Sequence, residues 1–370
     1  MLVRITGEIK GYAWGSKSLV QDHLGLGDPG QVVAEVWFGT HHGGASKVFG
    51  STKSLEEIAG PLPFLVKFLA AEKPLSIQVH PTKQQAKAGF AREQQLGIAL
   101  DDPTRNYKDQ SDKPEILIAL TSFKALCGFR PIAETKEILS ELSLLDKDFE
   151  HLLPEIEKGL ENLFIALLNA TDLANRLSSL QATSDLSEKT SRALALAKSL
   201  LLEYPGDTGA LVALMLNHIE LAPGEAVFLP AGNLHAYLSG LGLEVMSSSD
   251  NVIRGGLTQK HIDTKELLSI TDFSEALEPV VRSKKIAHGL TEYPVSVSDF
   301  KVYRAQVSAA NLFADIDLPS QAIVVGISGE VAVSTSQEER ELVRKSDVVY
   351  LAESRKFSLS GSGEVFVITG

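Results

Sequence analysis

Pro223-Gly224-Glu225-Ala226-Val227-Phe228-Leu229-Pro230-Ala231-Gly232-Asn233-Leu234-His235 decides the fold. Pro223-Gly224 makes a turn, Glu225 to Leu229 is short and apolar as a strand should be, and Pro230 with Gly232 forces a second turn. The chain then re-enters the sheet with His235 directed into the mouth of a β-barrel. Working outward, the segments PLSIQVHP (74–81), QAIVVGISGEVAVST (321–335), SDVVYLA (346–352) and EVFVITG (364–370) are β-branched, alternating or apolar, and punctuated by Gly and Pro. Strands of this length spaced by turns predict antiparallel sandwiches or barrels.

Between Ile132 and Tyr204 usage changes: there is one glycine, Gly159, and no valine, while Leu, Ala, Glu, Lys and Ser dominate. Leu160, Leu163, Phe164, Leu167 and Leu168 share one helical face. Thr171 with Asp172, and Asp185 ahead of Glu188, stand where helix N-caps are expected. A further short helix is expected over GALVALMLNHIEL (209–221). The layout predicted is a mainly β protein with a helical insertion: residues 1–131 and 219–285 forming one β domain, 132–218 the helical domain, and 286–370 a second, valine-rich β domain with a structural role.

The chain has 370 residues, too many for one ordinary core, and a net charge of −12. That sign argues against unspecific nucleic-acid binding, which needs a cationic surface; it allows a small anionic ligand in a locally basic pocket. The single cysteine, Cys127, excludes an intrachain disulfide and a multi-thiolate zinc cluster, and reads as a small buried residue. No apolar run approaches the ~20 residues that span a bilayer, and the first residues lack the apolar core of a signal peptide. A cytoplasmic protein is expected, without nucleic-acid or membrane partners, working as a monomer or weak homodimer.

The spacing G-x5-P-x-G-x2-H around His235 resembles the second signature of the cupin jelly roll. Gln78-Val79-His80 is the nearest counterpart of that fold's first signature, H-x-H, and the spacing of two puts Gln78 and His80 on one strand face. Pro81 ends ladder donation directly after. Glu115, in Lys113-Pro114-Glu115-Ile116-Leu117-Ile118, opens an apolar strand where a carboxylate needs a cation. Gln78, His80, Glu115 and His235 together offer two imidazoles, a carboxylate and an amide oxygen. This donor set suits one zinc per chain, and iron or manganese share its preferences.

Read in order, these segments resemble the type I phosphomannose (mannose-6-phosphate) isomerases. The likeness is carried by Tyr12-Ala13-Trp14-Gly15-Ser16, Ala34-Glu35-Val36-Trp37-Phe38-Gly39-Thr40-His41, Leu62 to Lys67, Pro74 to Pro81, Asn106-Tyr107-Lys108-Asp109, Lys113-Pro114-Glu115, Leu243-Glu244-Val245-Met246, and Ser249-Asp250-Asn251-Val252-Ile253-Arg254-Gly255-Gly256-Leu257-Thr258. The C-terminal third matches only in β character. The resemblance implies two cupin-like domains and a helical domain, zinc on Gln78, His80, Glu115 and His235, and interconversion of mannose 6-phosphate and fructose 6-phosphate through a cis-enediol.

It also implies roles for other residues. Arg254 matches an essential arginine and is expected to stabilise substrate oxygens or an enediolate. Glu244 and Asp250 are both candidates for the base, and Lys113 and Lys67 match pocket lysines that steady anionic species. Ser76 and Lys260 match positions proposed to contact the phosphate. One departure stands out: many members carry Asn-His before K-P-E, where this chain has Ser111-Asp112, so a role for that histidine does not transfer. A non-catalytic zinc-cupin sugar-phosphate binder and an isomerase of relaxed aldose specificity are the alternative readings. The remaining histidines, His23, His41, His42, His151, His218, His261 and His288, show no metal spacing, and the adjacent His41 and His42 are expected on opposite strand faces.

Overall fold

Whether a strand alternates or runs continuously apolar depends on how many of its faces are covered. Phe64–Ala71, with Lys67 at its middle, is buried at every position. In the computed structural model, which describes residues 1–317, 320–352, 354 and 356–370, the reason is that two sheets lie back to back. Phe64, Val66, Phe68 and Ala70 face a core shared with Val302, Ile323, Val325 and Phe366 of the C-terminal region. Leu69 and Ala71 face the other way, into their own sheet's interior with Leu117, Ala119, Val227 and Tyr237. Period two places Lys67 on that inner face.

The sheet carrying Phe64–Ala71 has eleven strands and the other ten among the described residues. In the first, His235–Ser247 runs antiparallel to Phe64–Ala71 and to Glu115–Ala119, and its start pairs with Ile77–Val79 and Phe123–Phe129. The helices over 132–215, the longest of them Glu188–Glu203, pack Leu163, Phe164, Leu194 and Leu200 against Ile77, Val79, Leu126 and Phe129. The arrangement is the mainly β, cupin-like fold with a helical region that the sequence predicts.

Four local expectations are corrected. The cap of Glu188–Glu203 is Ser187, whose hydroxyl accepts the Thr190 N–H, rather than Asp185; the helix Thr171–Leu177 follows Ala170 with no side-chain cap. The segment expected as one helix over 209–221 is helical only at Gly209–Val212, makes a 3-10 turn at Ala213–Met215, and then becomes the strand Leu216–Leu221. From Asn217 to Leu221 the less exposed positions, Asn217, Ile219 and Leu221, alternate with exposed His218 and Glu220, a period of two, and the strand pairs with Phe123–Phe129. The strand Leu2–Thr6 pairs with Val348–Ala352 and with Lys47–Val48, so these two segments join the C-terminal sheet and not the one holding the other strands of 1–131. Leu2 and Ile5 are buried in different cores, which gives this strand two faces to cover.

One irregularity positions the site. Along His235–Ser247, Tyr237 points inward with His235, but further on Leu241, Leu243 and Val245 face the intersheet core. The parity changes at a register shift between Tyr237 and Ser239, followed by Gly240 at φ 122°. A side chain at Gly240 would lie 2.6 Å from the Ser122 carbonyl oxygen, so glycine is required there. Both ends of one strand thereby deliver polar side chains, His235 and Glu244, to one interior.

Candidate metal centre

His80 follows the strand Ile77–Val79, and His235 begins the strand His235–Ser247 opposite Gln78. His80 Nδ1 lies 2.7 Å from the Asn251 carbonyl oxygen and His235 Nδ1 lies 2.9 Å from that of Asn233. A carbonyl only accepts, so each Nδ1 carries the proton and each Nε2 keeps a bare lone pair. Both lone pairs converge on Glu115: His80 Nε2 is 3.3 Å from Oε1 and His235 Nε2 is 3.6 Å from Oε2. The Gln78 amide is at the same centre, with Nε2 3.4 Å from His235 Nε2.

The three residues are buried and their donor atoms all lie within 4.8 Å of one another. His80 Nε2 and Glu115 Oε2 have no hydrogen-bond partner among the described residues. Buried polar atoms left so are costly, and a divalent ion satisfies them. Donors bound tetrahedrally at ~2.1 Å stand ~3.4 Å apart, close to the separations observed. The donor set therefore fits such an ion.

Charge is organised in two further groups. Lys113 Nζ lies 3.0 Å from Glu115 Oε1. Burial alone would push the Glu115 carboxyl up, but Lys113 and the two imidazoles outweigh it and hold it well below the usual carboxylate range. Lys67 Nζ lies 3.3 Å from Glu35 and 3.1 Å from Glu244. Burial works to discharge this lysine, but the two carboxylates raise its pKa above the ordinary value. Glu244 is shifted up, burial outweighing the pull of Lys67. Glu35 also accepts the Trp37 indole N–H at 2.8 Å.

Strand register explains the juxtaposition. Arg254, Gln78, His235 and Cys127 stand opposite one another across four neighbouring strands. Trp37, Lys67 and Glu244 form a similar row across three strands, the last of them the far end of the same His235–Ser247 strand. Cross-strand neighbours have Cβ atoms ~5 Å apart, so each row is a contiguous strip of side chains. Between them opens a cleft of about 610 Å³ lined by Ser76, Lys113, Asp250 and Lys260, with Lys67, Gln78, Glu115, Glu244 and Arg254. His80 and His235 are the floor beneath it, both 0% exposed. A larger cleft of about 940 Å³ beside the helix Glu188–Glu203 holds none of these residues. Arg254 is depressed by burial, with no carboxylate offsetting it among the described residues, and Lys260 is depressed by burial and by Arg254.

All eleven residues singled out in the sequence thus meet at one place. The expectation for His41 and His42 is corrected. The strand Glu35–Phe38 has ended before them, so strand alternation does not apply, and their rings lie 4.5 Å apart against one carboxylate, Asp250. Sequence reasoning also missed Glu35 and Tyr237 as parts of the site. A glutamate and a tyrosine within otherwise apolar strands were the available signals.

Fold and centre together define a metal-binding cupin-like protein whose cleft is built for a small anionic ligand. Comparison with known proteins gives the family. Residues 2–132 match the phosphomannose isomerase type I catalytic domain. The chain is 34% identical to a mannose-6-phosphate isomerase of Salmonella typhimurium, over 98% of both chains, and 33% identical to that of Escherichia coli over the same shares. A crystal structure of mannose 6-phosphate isomerase bound with zinc and yttrium superimposes with a TM-score of 0.87 at 32% identity, covering 100% of this chain and 99% of the other. A zinc-bound form superimposes at 0.88 with the same identity and coverage. The chain belongs to the type I phosphomannose isomerase family. No described helix is long and apolar enough to cross a membrane.

Proposed function

We propose that this chain is a zinc-dependent aldose–ketose isomerase interconverting mannose 6-phosphate and fructose 6-phosphate through a cis-enediol. The observation that carries the reading is the pair of inward imidazole Nε2 atoms beside Glu115, that of His80 without a hydrogen-bond partner among the described residues, beneath a cleft lined by Arg254, which no carboxylate offsets there. Zinc on Gln78, His80, Glu115 and His235 supplies Lewis acidity toward the sugar's carbonyl and hydroxyl oxygens, since the protein contributes only one formal negative charge.

The chain's own groups do the rest. Glu244, its carboxyl raised by burial, carries the proton between C2 and C1; a carboxyl shifted toward neutrality is the better acid and base there. Lys67, held by Glu35 and Glu244, orients that carboxylate and contributes positive charge at the substrate side of the cleft. Lys113 and Arg254 face the oxygens on which enediolate charge grows, and fixed cations in a water-poor cleft stabilise that charge strongly. Ser76 and Lys260, with Arg254 alongside, hold the phosphate. The acidic, single-cysteine composition supports work in the reducing cytoplasm, and we take the chain to act as a monomer or weak homodimer.

The test is metal analysis joined to a mannose 6-phosphate assay. We expect stoichiometric zinc, loss of isomerisation on chelation and its return with zinc. A purified, zinc-loaded protein that leaves mannose 6-phosphate unchanged overturns the reading.

A further inference from the structure

Glu35, Glu115, Glu244 and Asp250 all line the cleft, but their partners differ in kind. Glu35 and Glu244 are held by Lys67, and Glu115 by Lys113. Asp250 has no lysine partner among the described residues and its carboxylate pairs with imidazoles only, with Oδ1 3.4 Å from His41 Nε2 and Oδ2 3.3 Å from His42 Nε2. A lysine fixes charge, whereas an imidazole exchanges protons near neutrality.

The tautomer of His41 decides what this trio can do. Its Nδ1 accepts the Gly43 backbone N–H at 3.1 Å, so the proton of the neutral ring is on Nε2 and points at Asp250. This is the reverse of His80 and His235. The neutral ring turns no Nε2 lone pair inward, so the trio is a hydrogen-bonded unit and not a second metal site. His41 is buried and meets Trp37 edge-on, centroids 5.1 Å apart at 90°. Its pKa lies below the ordinary value, burial outweighing Asp250. His42 is the opposite, with a side chain 81% exposed. Asp250 is anchored by its own N–H, which donates to Asp109 Oδ2 at 2.9 Å. Tyr12, Lys67 and Lys113 are the other ionisable groups facing this unit.

We infer that Asp250, oriented by His41 and connected to solvent through His42, is the proton carrier that opens the sugar ring before the C1–C2 transfer. The inference rests on the isomerase reading above. The carboxylate takes the proton of the anomeric hydroxyl as the bond from C1 to the ring oxygen breaks and the C1 carbonyl forms. The carboxyl passes that proton to water through His42, and the ring oxygen takes one proton back by the same route, so protons balance and no co-reactant is consumed. His41 is a positioning residue; His42 exchanges protons between Asp250 and water.

The experiment separates opening from isomerisation. 2-Deoxy-arabino-hexose 6-phosphate opens and closes but, lacking the C2 hydroxyl, cannot become a 2-ketose. Its α/β exchange is followed by NMR with the zinc-loaded protein. We expect the wild type to accelerate exchange and Asp250→Asn to slow it by about tenfold or more. His41→Ala should do likewise, with partial recovery in His41→Gln, which keeps an N–H donor. His42→Ala, an exposed change that leaves the core intact, should slow exchange and recover as imidazole buffer is added, while the wild type ignores the buffer. Wild-type exchange rates in Asp250→Asn, or a slowed His42→Ala without imidazole recovery, overturn the inference. If the wild type exchanges anomers but does not isomerise mannose 6-phosphate, the isomerase reading fails instead.

Discussion

The eleven-stranded sheet turns Lys67, Glu115, Glu244 and, at its floor, His80 and His235 toward its interior, all of them buried. The ten-stranded sheet turns Val324, Val333, Val349, Leu359, Val365 and Val367 inward, and among the described residues that core holds no buried charged group. Both are antiparallel, and they share one apolar layer between their outer faces. A single scaffold thus supports two kinds of interior. Dispersion and area burial fill one. The other carries charges whose desolvation is offset only because each has a partner, lysine against carboxylate or imidazole against an ion. Substitutions in the first should therefore act on stability alone, and substitutions in the second on chemistry, charge balance or both.

His235→Ala tests the second half most severely. It removes one of the four donors, and one of the three that are His or Glu, leaving His80 Nε2 and Glu115 Oε2 to hold the ion with Gln78 alone. Metal analysis should find zinc reduced to trace levels, and mannose 6-phosphate turnover should fall by about 10³-fold or more. Retained metal and rate would break the ligand assignment. Arg254→Ala comes next, with zinc content unchanged and kcat lower by about 10²–10³-fold, the usual loss when one donor to a developing oxyanion is removed. Equal loss in KM alone would limit Arg254 to ground-state phosphate binding.

How much of this was readable beforehand differs between the two interiors. The turn chemistry of Pro223 to Gly232 and the two-residue spacing of Gln78 and His80 are local, and local rules sufficed for both strands and donors. Glu35 was not readable as a partner of Lys67, because their contact is set by register across the Glu35–Phe38 and Phe64–Ala71 strands, which no local pattern specifies. The pairing of His41 and His42 on Asp250 failed for a different reason: strand alternation was extended past Phe38, where the strand stops. The strand Leu216–Leu221 was taken for helix because GALVALM is a strong helix former and the alternation begins only after it. Tertiary pairing overrode propensity there. The valine-rich third gave its β character away easily, but its need for Leu2–Thr6 as a partner strand lay more than 340 residues away along the chain.

Lys67→Met sharpens the charge-balance argument. Glu35 and Glu244 would lose their buried cation, and breaking a buried pair from one side costs about 3–5 kcal/mol. The pH dependence has a definite sign. Glu244 already lies above its ordinary value in the fold, and without Lys67 it rises further. A carboxyl raised in the native state destabilises the fold above its unfolded pKa, and the penalty is relieved as it protonates. The variant should therefore be closer to wild-type stability near pH 5 than near pH 8, as followed by thermal unfolding across that range. A pH-independent loss would show that the lysine acts through its alkyl packing. Leu359→Ala, in the valine-filled interior, should instead cost about 2–5 kcal/mol with the same shape at every pH, leaving zinc content and kcat untouched.

The smallest expected effect is the most exacting test of where the chemistry stops. Cys127 is buried and stands directly across the strand from His235, so a thiolate there would be an attractive zinc ligand. Its surroundings oppose that role. Burial pushes the thiol up to about 12, and Sγ donates to Asn233 Oδ1 at 3.6 Å, drawing the proton away from the metal side. The same Asn233 offers its carbonyl to His235 Nδ1, so one residue orients the ligand and occupies the thiol. Cys127→Ala should cost about 1 kcal/mol as a small core truncation and leave zinc affinity and turnover unchanged, while the wild-type thiol stays silent toward a thiol reagent at pH 8 until the chain is unfolded. A fall in zinc affinity in this variant would mean that the oxygen-and-nitrogen donor set is incomplete, and that the boundary between the packed and the chemical interior runs on the far side of Cys127.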